Sequence, residues 1–117
     1  MEGRLLGLSE GVIQLPQVVS VDVYRSPDGQ VELDAVARTA TGETWVAEVK
    51  WGGRQAGRRE LERLQANAEA AQLKAPVTLW YISRSGFSQG ARDYAREHAI
   101  LLTDRAGFEA LVRVVRR

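Results

Sequence analysis

Two carboxylates and an amine stand close together in the stretch VELDAVARTATGETWVAEVKW, residues 31–51. Asp34 is followed by thirteen residues and then Glu48, with Lys50 two positions further on. Paired acids with no histidine or cysteine beside them are an oxygen-donor set, which suits a hard divalent cation, Mg2+ or Mn2+. Two acids held side by side repel unless one is protonated or a cation lies between them. Lys50 supplies some of that charge, and a divalent ion would supply more.

Whether these groups meet depends on the elements that carry them. The stretch reads as a β-hairpin, two apolar β-branched strands around Ala40-Thr41-Gly42. A three-residue loop suits a type I turn followed by a left-handed residue, and Gly42 occupies that last position. Thr39 then faces Glu43, and every pair of facing positions sums to 82. In that register Asp34 lies opposite Glu48 and Glu32 opposite Lys50, all four on one face, with acids about 5 Å apart across the strands. Leu33, Ala35, Ala47 and Val49 take the other face and suit a core. The same four charges would also suit a solvated strand face with a Glu32–Lys50 pair, and a one-residue slip would separate Asp34 from Glu48.

The chain has 117 residues, 44% hydrophobic, 26% charged and a net charge of +1. That length fits one domain, residues 1–117, with a modest core. A net charge near zero provides no global attraction to nucleic acid, so any such surface must be a local patch. There is no cysteine and one histidine, which excludes disulfides, thiolate metal sites and multi-histidine zinc sites and fits a reducing cytoplasm. No apolar run approaches the roughly 20 residues that span a bilayer. Neither a Walker loop nor a GxGxxG fingerprint is present, so no nucleotide cofactor is expected.

Along the chain, Leu5, Leu6 and Leu8 suggest a short partial helix closed by Pro16. VVSVDVYR, residues 18–25, alternates as a strand, and Ser26-Pro27-Asp28-Gly29 forms a turn into the hairpin. Leu61, Leu64, Ala68 and Ala71 recur at helical spacing. VTLWYIS, residues 77–83, is a nearly continuous apolar strand. Ser88 can cap a helix through about Glu97, AILLT is a short strand, and Asp104 can cap a last helix with a stripe of Phe108, Leu111, Val112 and Val115. Three strands in a meander followed by helix, strand, helix, strand and helix predict an α/β fold on a mixed sheet.

Asp34, thirteen residues and Glu48-Val49-Lys50 resemble the D…(D/E)xK signature of the PD-(D/E)XK nuclease superfamily. YISRSGFSQGARDYAREHAILLTD, residues 81–104, resembles the corresponding part of Mrr-type restriction endonucleases, and the hairpin is similar to that of archaeal Holliday-junction resolvases. The resemblance covers roughly residues 18–110. It implies a restriction-endonuclease-like sheet, an antiparallel three-strand meander plus parallel crossover strands flanked by helices. It also implies Mg2+ (or Mn2+) on Asp34, Glu48 and the Val49 carbonyl, with Lys50 orienting the attacking water or stabilising the transition state. Hydrolysis of DNA phosphodiesters would leave 5′-phosphate and 3′-hydroxyl ends, and a homodimer would cut both strands. The family's first-helix glutamate would be Glu10 or Glu2. Its helix glutamine would be Gln65 or Gln55, and Leu33 stands where many members have proline.

Around these residues Arg54, Arg58, Arg59, Arg63, Arg84 and Ser85 are candidates for phosphate contact, and Gly52 and Gly53 permit close backbone approach. Arg58 and Glu62 have the spacing of an ordinary helix-surface pair. Glu32 would sit at the rim of the site. His98 suits a helix end, and Trp45, Trp51 and Trp80 suit packing, with Trp51 near enough to the acids to touch a nucleotide. A DNA endonuclease is the leading expectation. A non-catalytic DNA-docking or assembly module of the same fold, within a larger ATPase-linked protein, is the alternative.

Overall fold

The computed structural model describes residues 5–8, 11–14, 18–29 and 31–115. Its elements run β1 (Leu5–Leu8), β2 (Gly11–Gln14), β3 (Val18–Arg25), β4 (Glu32–Thr39), β5 (Thr44–Lys50), α1 (Arg58–Ala70), β6 (Val77–Ser83), α2 (Gln89–His98), β7 (Leu101–Thr103) and α3 (Arg105–Val115). β3 to β7 form one sheet in sequence order, antiparallel across β3-β4-β5 and parallel across β5-β6-β7. This is the expected mixed α/β sheet: a meander, then two helical crossovers.

The N-terminal expectation is corrected. Leu5–Leu8 is not a partial helix but a strand, paired antiparallel with Gly11–Gln14. Three leucines in four positions are too few to fix a helical period. Gly7 and Gly11 each cost a helix about 1 kcal/mol, and the β-branched pair Val12-Ile13 favours extended backbone.

Turn chemistry sets the hairpin register. Gly42 adopts φ +89°, its N–H reaches the Thr39 carbonyl at 3.1 Å, and the Thr39 N–H reaches the Glu43 carbonyl at 3.1 Å. Facing pairs then run Arg38–Thr44, Ala37–Trp45, Val36–Val46 and Ala35–Ala47, each summing to 82 as expected. Gly29 likewise closes its turn on Ser26 at 3.0 Å.

The principal core lies between the sheet and α1–α2. Leu33, Val46, Leu61, Leu64, Tyr81, Phe87, Ala91, Tyr94 and Leu102 are all buried there. Each fully buried leucine contributes about 2 kcal/mol from area removed from water. Elsewhere Trp45 meets Trp80 edge-on at 6.1 Å, and the Trp80 Nε1–H donates to Thr103 Oγ1 at 2.7 Å. Trp51 packs edge-on against Phe108 of α3 at 5.2 Å. Both helix caps expected from sequence are present: Ser88 Oγ accepts the Ala91 N–H, and Asp104 Oδ1 accepts the Gly107 N–H.

Candidate active site

The β4 strand reaches the site through a bulge. Between the pairs Asp22–Val36 and Tyr24–Leu33, β3 contributes one residue, Val23, and β4 contributes two, Asp34 and Ala35. An extra residue in one strand bends it and re-aims its side chains. Leu33 is thereby fully buried in the core beside Val46 and Leu61. Asp34 is exposed. Val49, expected in the core, is instead 46% exposed, because the β4–β5 ladder stops at Ala35–Ala47, short of it.

The opening of the hairpin places Asp34. Thr39 and Glu43 form a hydrogen-bonded pair, so alternate pairs down the ladder are bonded too, and a continued ladder would join the Val49 N–H to the Leu33 carbonyl. The Val49 N–H goes instead to Asp34 Oδ2 at 3.0 Å. Asp34 is thus bound to the middle residue of Glu48-Val49-Lys50. The Lys50 carbonyl accepts the Arg84 N–H at 3.0 Å on the β6 side, so by strand alternation the Val49 carbonyl lies on the opened β4 side with Asp34.

Glu48 and Lys50 share the other requirement, a common face. In the parallel ladder Glu48 faces Tyr81 and Lys50 faces Ser83. The Lys50 ammonium pairs with Glu60 of α1, Nζ to Oε1 at 3.1 Å, both side chains being about 70% buried. The expectation paired Lys50 with Glu32; the β4–β5 ladder stops at Ala35–Ala47, short of Glu32, and the Lys50 ammonium meets Glu60 of α1. Glu60 Oε2 accepts the Gly57 N–H at 2.9 Å. Burial alone would raise the Glu60 carboxyl's pKa, but the Lys50 hydrogen bond, the Glu60 and Gly57 backbone N–H groups and the Lys50 charge together hold it below its ordinary value.

Tyr81 lies within electrostatic reach of the acids. Its hydroxyl is pushed up to about 12, by burial first and then by the charges of Glu48, Glu60 and Asp34, with Arg63 opposing. One buried hydroxyl therefore senses three carboxylates from β4, β5 and α1. Sequence reasoning missed both Glu60 and Tyr81. The signal for Glu60 was its place three residues after Gly57 at a helix start, the position from which a glutamate caps. Tyr81 gave no signal, because a parallel register is not set by a local turn.

The donor set fits a hard divalent ion. Among the described residues no three His, Cys, Asp or Glu side chains cluster tightly enough to hold a metal. Asp34, Glu48 and the Val49 carbonyl are an all-oxygen set with two carboxylates, and Mg2+ is commonly held by one or two carboxylates with water and phosphate completing its shell.

The remaining candidates divide. Arg54, Arg59, Arg63 and Arg84 are exposed. Arg58 is tied down on its helix, with Nε 3.3 Å from Glu62 Oε2 and its guanidinium 5.2 Å from the centre of the Tyr94 ring. The Ser85 hydroxyl donates to the Gly52 carbonyl at 2.8 Å and so joins the two loops beside Lys50. Gln65 accepts the Tyr94 hydroxyl and lines a cleft of about 460 Å3 with Glu69, Leu73, Val77 and His98, between the far ends of α1 and α2. His98 stacks on Tyr94 at 4.1 Å, a packing role at the helix end. Gln55 is exposed, and Glu32 lies on β4 opposite Arg25. Glu2 and Glu10 lie outside the described residues.

A meander, a crossover helix and two parallel strands, with an acid pair and a lysine at the open end of the central hairpin, define a restriction-endonuclease-like α/β domain. The chain belongs to the restriction endonuclease family Mrr_cat, whose model matches residues 10–112. No curated protein matches the chain. Among solved structures, a protein of unknown function designated AF1548 aligns with a TM-score of 0.63 at 23% identity, over 84% of this chain and 56% of that one. A repair endonuclease from Pyrococcus abyssi aligns at 0.56 and 16% identity, over 74% of this chain and 38% of that one. EndoMS in complex with double-stranded DNA aligns at 0.54 and 17% identity, over 73% and 36%. These likenesses establish the fold, and the chain spans from about a third to just over half the length of the structures it matches.

Proposed function

We propose that the chain is a divalent-metal-dependent endonuclease that hydrolyses phosphodiester bonds in DNA. The observation that carries this reading is the Asp34 carboxylate bound to the Val49 N–H, which joins an acid from β4 to Glu48-Val49-Lys50 at the open end of the hairpin. Membership of a restriction endonuclease family supports it. So do two structural neighbours, one a repair endonuclease and one solved with double-stranded DNA.

Asp34, Glu48 and the Val49 carbonyl would hold Mg2+, with Mn2+ able to replace it. When bound, such an ion acidifies a water and offsets charge on a phosphate. The protein's own part is to hold the two acids on adjoining strands, and to keep an ammonium group on Lys50 beside them where negative charge develops on a scissile phosphate. Arg54, Arg59, Arg63 and Arg84 are exposed near the same end and would contact backbone phosphates, so binding should weaken steeply with salt. A homodimer would cut both strands. No described helix is long and apolar enough to cross a membrane.

The test is nicking of supercoiled, branched and single-stranded DNA in Mg2+ or Mn2+, with chelator controls and with Asp34→Ala and Lys50→Ala alongside. Metal-dependent nicking by the wild type, lost in both variants, is expected. Salt-sensitive binding without nicking under any condition would overturn catalysis in favour of a docking module.

A further inference from the structure

The cleft of about 460 Å3 between the far ends of α1 and α2 is of a size that holds a bound group. It forms because the helices stop before the sheet does. α1 ends at Ala70 and α2 at His98, while β6 runs back to Val77. Val77 and Leu79 alternate onto the same face as buried Tyr81, the face that the helices cover. Past the helix ends Val77 is left 37% exposed, and with Leu73 and Leu79 it makes an apolar floor. We infer that this cleft is a docking site for an arginine side chain presented by a partner polypeptide. The inference does not depend on the proposed nuclease activity.

Charge selects a cation. Two helices end at the cleft, and the last carbonyls of a helix carry partial negative charge. α1 has no basic residue in its last turn to offset that charge, and its Glu69 lines the cleft. α2 does carry Arg96 and His98 in its last turn, but Arg96 pairs with Asp93 at 3.4 Å and does not line the cleft. No lysine or arginine is among the lining residues. The lining oxygens of Gln65, Glu69 and Thr78 are acceptors, and a guanidinium brings five N–H donors in one plane on an apolar stem. One wall is already fixed, because Gln65 Oε1 accepts the Tyr94 hydroxyl and His98 stacks on the Tyr94 ring. Openness favours a tethered side chain over a free small molecule. Glu69, Gln72, Val77, His98 and Ala99 are exposed, so the cleft cannot enclose most of a small ligand, whereas a side chain held by its own backbone needs less enclosure. The backbone gives a further sign. Gln72 at φ +51° and Ala99 at φ +55° are the two non-glycine residues in left-handed backbone among the described residues, and both line the cleft. Glycine adopts that conformation without the steric cost, so side chains kept there point to a use beyond folding.

The experiment follows backbone amide NMR signals of the full chain during titration with a blocked glycyl-arginyl-glycine peptide. The same peptide with citrulline, the neutral isostere of arginine, and n-butylguanidinium alone are titrated in parallel. The arginine peptide should give saturable shifts centred on Gln65, Glu69, Gln72 and Ala99. Its Kd should be on the order of 1 mM, the affinity that about a dozen well-placed non-hydrogen atoms provide. The citrulline peptide should bind about fivefold more weakly, having lost its charge. Glu69→Gln, a change at an exposed position that leaves the spectrum of the fold intact, should weaken the arginine peptide about threefold, the scale of one exposed ion pair. Gln72→Gly frees the backbone and removes the side chain, so it should raise the urea midpoint and weaken binding together. No saturable shift at the cleft, or equal binding of the citrulline peptide, would overturn the inference. Shifts centred on Asp34 and Glu48 instead would overturn it too, as a cation drawn to the other acids. Tighter binding of n-butylguanidinium than of the peptide would replace the partner polypeptide with a free small cation. A higher urea midpoint for Gln72→Gly with binding untouched would overturn the part given to Gln72.

Discussion

The convergence of three acids on Tyr81 predicts a specific weakness at high pH. The Tyr81 hydroxyl is raised from an ordinary 10 to about 12, by burial and by the charges of Glu48, Glu60 and Asp34. Tyr81 is only 5% exposed, so solvent screens the effect little. In the unfolded chain the phenol loses its proton near pH 10, while in the folded chain it keeps it to about pH 12. Between those values the unfolded state binds fewer protons, so stability falls as pH rises. Two pH units correspond to about 3 kcal/mol, present below pH 10 and lost by about pH 12. Urea denaturation across this range should show that loss in the wild type and much less of it in Tyr81→Phe. A tyrosinate absorption difference titration between the two proteins isolates the hydroxyl directly. Asp34→Asn with Glu48→Gln should bring its midpoint part of the way back, leaving the contribution of burial. A difference titration centred near pH 10, or one indifferent to both acid substitutions, would refute the convergence of the acids.

Three other outcomes follow from single contacts. Ser88→Ala removes the acceptor of the Ala91 N–H at the start of α2 and should cost about 1 kcal/mol by thermal or urea denaturation. Ser83→Ala should raise stability by about 1 kcal/mol in the same assay, because Ser83 Oγ is buried with no hydrogen-bond partner among the described residues. Asp34→Asn, which keeps an acceptor for the Val49 N–H, should abolish nicking with little loss of stability, whereas Asp34→Ala should lose about 1 kcal/mol as well.

The parts legible in the sequence were those governed by local chemistry. Gly42 fixed the turn and the turn fixed the register from Arg38–Thr44 to Ala35–Ala47, but the ladder stops before the expected facing pair of Asp34 and Glu48. Ser88 and Asp104 marked two helix starts because a capping side chain acts within three residues. What escaped depended on contacts distant in sequence or on irregular backbone. Nothing at Asp34-Ala35, neither glycine nor proline, announces a bulge, so an even alternation put Val49 in the core, where it is instead 46% exposed. Lys50 was assigned to Glu32 because hairpin geometry was available and helix docking was not. Glu60 lies ten positions beyond Lys50, across a loop that the Ala56–Phe87 bridge helps to seat.

The bulge and the site are one device. A strand pair that stays zipped gives every inward backbone N–H to its neighbour and leaves no room between strands for an ion. Opening the pair would orphan a donor, at a cost comparable to a lost hydrogen bond. Here the extra residue in β4 turns Asp34 so that its carboxylate takes the Val49 N–H that the ladder gives up. A charge-assisted bond replaces a neutral one, so the strand ends separate without an unsatisfied donor. The same substitution places a carboxylate and a backbone carbonyl on the opened edge. An aspartate meets both needs in this register; a glutamate is one methylene longer and an alanine has no oxygen. The residue that would bind the ion is therefore also the one that holds its binding place open.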